Sequence, residues 1–190
     1  NGAVGWNGGW NLTNTGSGNF EIISNTYFPA MPNYPNEEGN TLRMSDQGNG
    51  AEGRARRSFA PITGGTIYAA YMMAHQFAGP NKYVGVSFLS NTTERAFFGE
   101  IASQNQRLGL DSFGAGSPAS SPYVLNDLAS PSNTYLIIGY YNFATRELKT
   151  KAFYRTDMVF RAEPTAWDVV VTASVGQITW VDGVQILAGS

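Results

Sequence analysis

Apolar and polar residues alternate with a period of two along most of this chain, and Gly, Pro and Asn interrupt the pattern at short intervals. Side chains on a strand point alternately to its two faces, so such a pattern specifies half-buried strands between turns. Strands are predicted at 20–24, 41–45, 54–60, 66–74, 82–90, 94–101, 106–110, 122–126, 134–142, 147–154, 168–173 and 177–189. These segments are rich in β-branched and aromatic residues, which suit a pleated, half-buried surface. No segment carries a sustained i, i+3, i+4, i+7 apolar stripe, so helix is expected to be minor. About twelve strands exceed what one twisted open sheet comfortably holds, and two packed sheets are the usual solution. The expected fold is all-β: a two-sheet antiparallel β-sandwich, a jelly roll of about 12 strands.

No linker or internal repeat divides residues 1–190, a length that sandwiches commonly reach as one domain. "TGG" at 63–65, "SNTT" at 90–93 and "NFATR" at 142–146 have the residues of hairpin connections. Two stretches, 111–122 and 155–167, are expected to be long loops, where sandwiches tend to carry function. The opening "NGAVGWNGGW" combines close-packing glycines with Trp6 and Trp10, which share one face if the segment is extended. Burial of that face is the simpler expectation, and a sugar-stacking pair is the alternative.

The surface follows from composition. Charged residues make up 14% of the chain, well below the usual quarter, so its polar surface rests on Asn, Ser, Thr and Gly. A formal net charge of −2 gives no general attraction to nucleic acid or anionic membranes. No apolar run approaches the roughly 20 residues that a membrane-spanning helix needs. There is no Cys, hence no disulfide or thiolate metal site. Secreted eukaryotic domains often carry disulfides, so an extracellular or cell-surface protein of bacterial or viral origin fits better. The chain starts at Asn1 with no visible signal peptide, as a processed or trimmed product would.

Each catalytic chemistry meets an obstacle. Glycoside hydrolysis needs two carboxylates roughly 5 to 9.5 Å apart. None of the 14 acidic residues has an acidic neighbour two or four positions away. Glu94 and Glu100 would share a strand face, but about 20 Å apart along an extended chain. The single His75 and the lack of a G-x-S-x-G elbow give nucleophilic catalysis no foothold. A lyase could use Tyr as base and Arg as charge neutraliser, yet abundance of both is not a constellation. Gly48, Gly50 and Gly53 form a G-x-G-x-x-G that leads into a strand pattern rather than a helix, so it is a turn and not a nucleotide site. No catalytic residue is assigned.

Binding chemistry is better represented. Arg54 and Arg56 fall on one strand face and Arg57 on the other, so the pair is a candidate for an anion or acidic glycan, against a solvated strand face as the plainer alternative. Trp167, which ends the second long loop, is the candidate for stacking on a sugar, with core packing as the alternative. A structural calcium ion would need about six to eight oxygens. Asp182, which interrupts an apolar strand, and Asp46 with Asn49 in a Gly/Asn turn are its candidate ligands. A bulge or hairpin Asp-Gly explains Asp182 equally well.

Four stretches, "NGAVGWNGGW", "NYP" at 33–35, the run from "ARRSFAPITGG" to "TERAFFGEI", and "EPTAWDVVVTASVGQITWVDGVQILAGS", resemble in their order the concanavalin A-like (LamG-like) jelly-roll domains of bacterial exported and surface proteins. Many of those carry a PEP-CTERM sorting signal. The resemblance spans nearly the whole chain and implies a two-sheet sandwich, export, and in most members no catalytic residue. Related glucanases place a late-strand aspartate on a structural calcium, and "WVDGVQI" looks similar; their paired-carboxylate motif is not matched here. The resemblance also implies a strand before the Gly-rich stretch and a sorting segment after the last strand, neither of which lies within these residues. An edge exposed in this way would accept a strand from a second copy. The leading expectation is therefore a non-catalytic extracellular module with a structural or adhesive role, with self-assembly as a filament or layer one form of it. Its partners would be copies of itself or surface glycans. The alternative is a carbohydrate-binding module, and a polysaccharide-active hydrolase or lyase comes third.

Overall fold

A computed structural model describes residues 6–15, 19–23, 41–45, 52–74, 82–101, 107–114, 118–124, 134–154 and 163–189. Within them run thirteen strands: β1 (Trp6–Thr15), β2 (Asn19–Ile23), β3 (Thr41–Ser45), β4 (Glu52–Ile62), β5 (Thr66–Ala74), β6 (Tyr83–Ser90), β7 (Thr93–Glu100), β8 (Arg107–Asp111), β9 (Ala119–Val124), β10 (Thr134–Asn142), β11 (Glu147–Tyr154), β12 (Val169–Thr172) and β13 (Val181–Gly189). All pairings are antiparallel. A seven-stranded sheet has the order β1-β4-β13-β6-β7-β8-β9, a four-stranded sheet the order β12-β11-β10-β5, and β2 pairs with β3. The expected jelly-roll sandwich is what the chain forms.

The two sheets meet face to face, with β10 over β7, β11 over β8, and β12 over β8 and β9. Alternation delivers the core: Phe88, Phe98 and Leu110 from one sheet interdigitate with Tyr141, Leu148 and Val171 from the other. Buried tyrosines find acceptors on the backbone, as buried hydroxyls must. Tyr71 donates to the Phe98 carbonyl at 2.6 Å and Tyr141 to the Ile178 carbonyl at 3.0 Å, tying strands and loops across the layers. At Gly139 the absence of a side chain has a clear cause, because a Cβ there would lie 2.6 Å from the Phe98 ring.

Four local expectations change. Residues 6–15, which lie before the first predicted strand, form a full edge strand. "TGG" at 63–65 is no hairpin: it carries the chain from β4 in one sheet to β5 in the other. The 111–122 stretch is part strand, since β8 runs to Asp111 and β9 starts at Ala119. A bulge at Arg95, where Ala96 pairs with Phe88 but Glu94 with Leu89, turns Glu94 and Glu100 to opposite faces of β7. The other two connections are hairpins. In "NFATR", the Asn142 Oδ1 accepts from the amides of Ala144 and Thr145 at 2.9 and 3.0 Å, an Asx turn.

Candidate functional site

On the face of the four-stranded sheet that points away from the core, one register row runs across all its strands. Val170 pairs with Lys149, Lys149 with Tyr140, and Tyr140 with Tyr68. The Tyr68 and Tyr140 rings meet edge to face with centroids 5.1 Å apart, and Trp167 tilts against Tyr140 at 5.3 Å. Lys149 Nζ lies 5.0 Å from the Tyr140 centroid and 6.0 Å from that of Trp167, within cation–π range. Three rings and an ammonium therefore share one surface. Tyr140 is buried as its floor, Trp167 is half-buried and Tyr68 is 47% exposed.

Trp167 is held there by its neighbour. The Asp168 amide donates to the Thr150 carbonyl at 3.0 Å, while its carboxylate accepts from Lys151 Nζ at 2.6 Å and from the Ala152 amide at 2.9 Å. These contacts clamp the end of the loop onto β11 and fix the indole beside Tyr140. Two carboxylates line the row. Glu147 pairs with Lys149 at 3.3 Å and accepts from Thr145 Oγ1 at 3.1 Å. Glu163 accepts a hydrogen bond from Tyr68. Partial burial, then that bond and the Glu163 charge, push the Tyr68 hydroxyl up to about 12, so it stays a protonated donor at neutral pH. Burial also raises Tyr71 and Tyr141. These shifts run opposite to what a tyrosine general base requires.

Arg54 and Arg56 sit on the other sheet, on its outward face, and do not meet Trp167. Each has an internal partner. Arg54 pairs with Glu52, with Nη2 donating to Oε2 at 2.8 Å. Arg56 Nε donates to Gln185 Oε1, and Gln185 Nε2 donates in turn to Glu94, which also accepts from Ser87 Oγ at 3.3 Å. Gln185 and Ser87 are fully buried, so this chain across β4, β13, β6 and β7 satisfies polar groups that would otherwise be costly.

Asp182 lies opposite a bulge of β4, where residues 59–61 stand between Ile62, paired with Val181, and Ser58, paired with Gly183. Its Oδ1 accepts from the Asn91 amide at 2.7 Å and so supports the β6–β7 turn, where Asn91 adopts φ 57°. Asp46, Asn49 and His75 lie outside the described residues. Among the described residues, no group of three or more His, Cys, Asp and Glu is placed to hold a metal ion. Nor is there among them a helix long and apolar enough to cross a membrane.

No protein-family model matches the chain, and no curated protein matches it. Among solved structures it is similar to a sialidase, at a TM-score of 0.53 and 12% identity over 90% of this chain. The chain spans 13% of that sialidase, and at such identity the likeness shows the sandwich fold alone. It is also similar to the carbohydrate-binding module CBM66 from Bacillus subtilis, with 10% identity, 95% of this chain and 91% of that one covered, and a TM-score of 0.44.

Tyr68, Tyr140, Lys149 and Glu163 were not legible as a site from sequence. Each strand shows only its own alternation, and the row exists through register, which pairs residues up to 72 positions apart (140 − 68).

Proposed function

We propose that the chain is a non-catalytic carbohydrate-binding module whose binding face is the Tyr68–Tyr140–Trp167 row. The supporting observation is the convergence of three rings, from β5, β10 and the loop before β12, beside an ammonium and two carboxylates. Aromatic rings take the C–H face of a pyranose, while Lys149, Glu147, Glu163 and the Tyr68 hydroxyl suit its ring of hydroxyls. Both carboxylates are already hydrogen-bonded or ion-paired, which fits binding better than acid–base work. The sparse charge, with a polar surface resting on Asn, Ser, Thr and Gly, supports a module that works outside the cell, where polysaccharides are displayed.

Strand exchange between copies has the β1 edge as its template. Three residues, Gly8 to Trp10, stand opposite Arg57 alone and interrupt the ladder there, a device that discourages strand addition. That weighs toward glycan binding.

The test is a polysaccharide array followed by calorimetry on the best ligand. Trp167→Ala and Tyr68→Ala should each weaken binding at least tenfold, about 1.4 kcal/mol. Failure of the wild-type protein to bind any polysaccharide, or full binding by both variants, overturns the proposal.

A further inference from the structure

The opening Gly-Gly dipeptide builds a second aromatic feature on the other sheet. Asn7 pairs with Ser58 and Asn11 with Arg56, so the bulge between them places three residues of β1 against Arg57. Gly8 takes φ +71°, a left-handed conformation that glycine adopts without steric cost. The bulge brings Trp10 back beside Trp6, with ring centroids 6.3 Å apart and planes at 36°. Trp6 in turn packs edge-on against Phe59 at 5.5 Å, which anchors the pair.

Arg57 lies on the same face of β4 as these rings. Its guanidinium carbon is 4.9 Å from the Trp6 centroid and 6.0 Å from that of Trp10. Among the described residues no carboxylate forms a salt bridge with Arg57, and its buried Nε has no hydrogen-bond partner. This sets it apart from Arg54 and Arg56. These residues lie at the β1–β4 end of the seven-stranded sheet. Trp10 there is 43% exposed and Leu12 is 52% exposed.

We propose that Trp6, Trp10 and Arg57 form a second ligand site that takes an anionic pyranose, carboxylated or sulfated. The exposed Trp10 indole receives the apolar face of the ring. Arg57, lying against the indoles and half-buried, offers the terminal donors of its guanidinium to the oxyanion. A peptide is less suited, because a peptide adds along a regular strand edge and the bulge breaks this one. The site shares no residue with the Tyr68–Trp167 row and does not depend on it.

The experiment titrates the whole chain, by NMR or calorimetry, with an oligogalacturonate, a sulfated oligogalactan and a neutral oligogalactan of equal length. An acidic peptide is the fourth arm. Binding of either anionic sugar, at least tenfold tighter than the neutral one and weakened by salt, is expected. Carboxylate and sulfate are told apart by which of the two binds better. Trp10→Ala and Arg57→Gln should each remove that preference, Arg57→Lys should restore it only in part, and Trp167→Ala should leave it intact. Equal binding of neutral and anionic sugars, binding of the peptide alone, or a preference that survives Arg57→Gln in a folded protein overturns the proposal. Loss of the preference in Trp167→Ala but not in Trp10→Ala would assign it to the other row and overturn it as well.

Discussion

Gly139 offers a sharp test of how the two sheets are packed. It lies in β10, and a Cβ built on it would sit 2.6, 2.7 and 2.9 Å from three carbons of the Phe98 ring. Ordinary carbon contacts are about 3.5–4.0 Å. The ring has nowhere to retreat, because Phe98 is fully buried and meets Phe88 edge to face at 5.1 Å. Two effects compete in Gly139→Ala. Restricting the unfolded chain stabilises by about 0.4–1 kcal/mol, whereas overpacking a closed core costs about 1–3 kcal/mol. The clash should win, for a net loss of about 1–2 kcal/mol. In a Phe98→Ala background, which itself costs about 3–5 kcal/mol, the obstacle is gone and the new methyl enters vacated space. There Gly139→Ala should stabilise by about 1 kcal/mol, a coupling of about 2–3 kcal/mol between the two positions. Urea unfolding with a shared m-value reads all four corners of the cycle, and Phe98→Leu supplies a milder background. If Gly139→Ala costs the same in every background, or nothing in the wild type, the face-to-face placement of β10 on β7 is wrong. Tyr140, the next residue and the floor of the aromatic row, faces the opposite way, so glycan binding by the folded Gly139→Ala protein should be unchanged.

Two further outcomes are expected. Asp168→Ala removes a half-buried ion pair and a bond to the Ala152 amide, and should cost about 2–3 kcal/mol, seen as a fall of several degrees in Tm; an unchanged Tm would show that Trp167 is held by something else. Tyr68 is raised from 10.0 to about 12 in the folded state, so its stabilising effect is complete below pH 10 and is lost as pH rises from 10 through 12. Discounted for its exposure, that is about 1 kcal/mol, and Tyr68→Phe should flatten the alkaline loss of stability by that much, with Tyr71 and Tyr141 accounting for the remainder. A Tyr68→Phe protein with the same pH profile as the wild type would refute the contact with Glu163.

The fold was legible because strand alternation is a local property. Residues at i and i+2 share a face whatever lies opposite, and "TYLIIGYYN" and "ELKTKAFY" became β10 and β11 with nearly their expected bounds. Departures arose where one residue more or fewer changes the parity. Arg95 is such a residue: its bulge sends Glu94 outward to Gln185 and Glu100 inward, although both occupy the same phase of the sequence pattern. Gly8 and Gly9 keep the parity instead: three residues against one add two positions, so Trp6 and Trp10 share a face as the alternation implies and are drawn to 6.3 Å between ring centroids. Parity also decides the fate of the arginines. Alternation already sets Arg57 apart from the other two: Arg54 and Arg56 fall where Glu52, Gln185 and Glu94 await them, and Arg57 falls beside two indoles. A cation with carboxylate partners on its own sheet is largely committed to the fold. Arg57, which meets π-faces and forms no salt bridge among the described residues, keeps its capacity for an anion from outside, which makes it the arginine of the three whose removal should change binding more than stability.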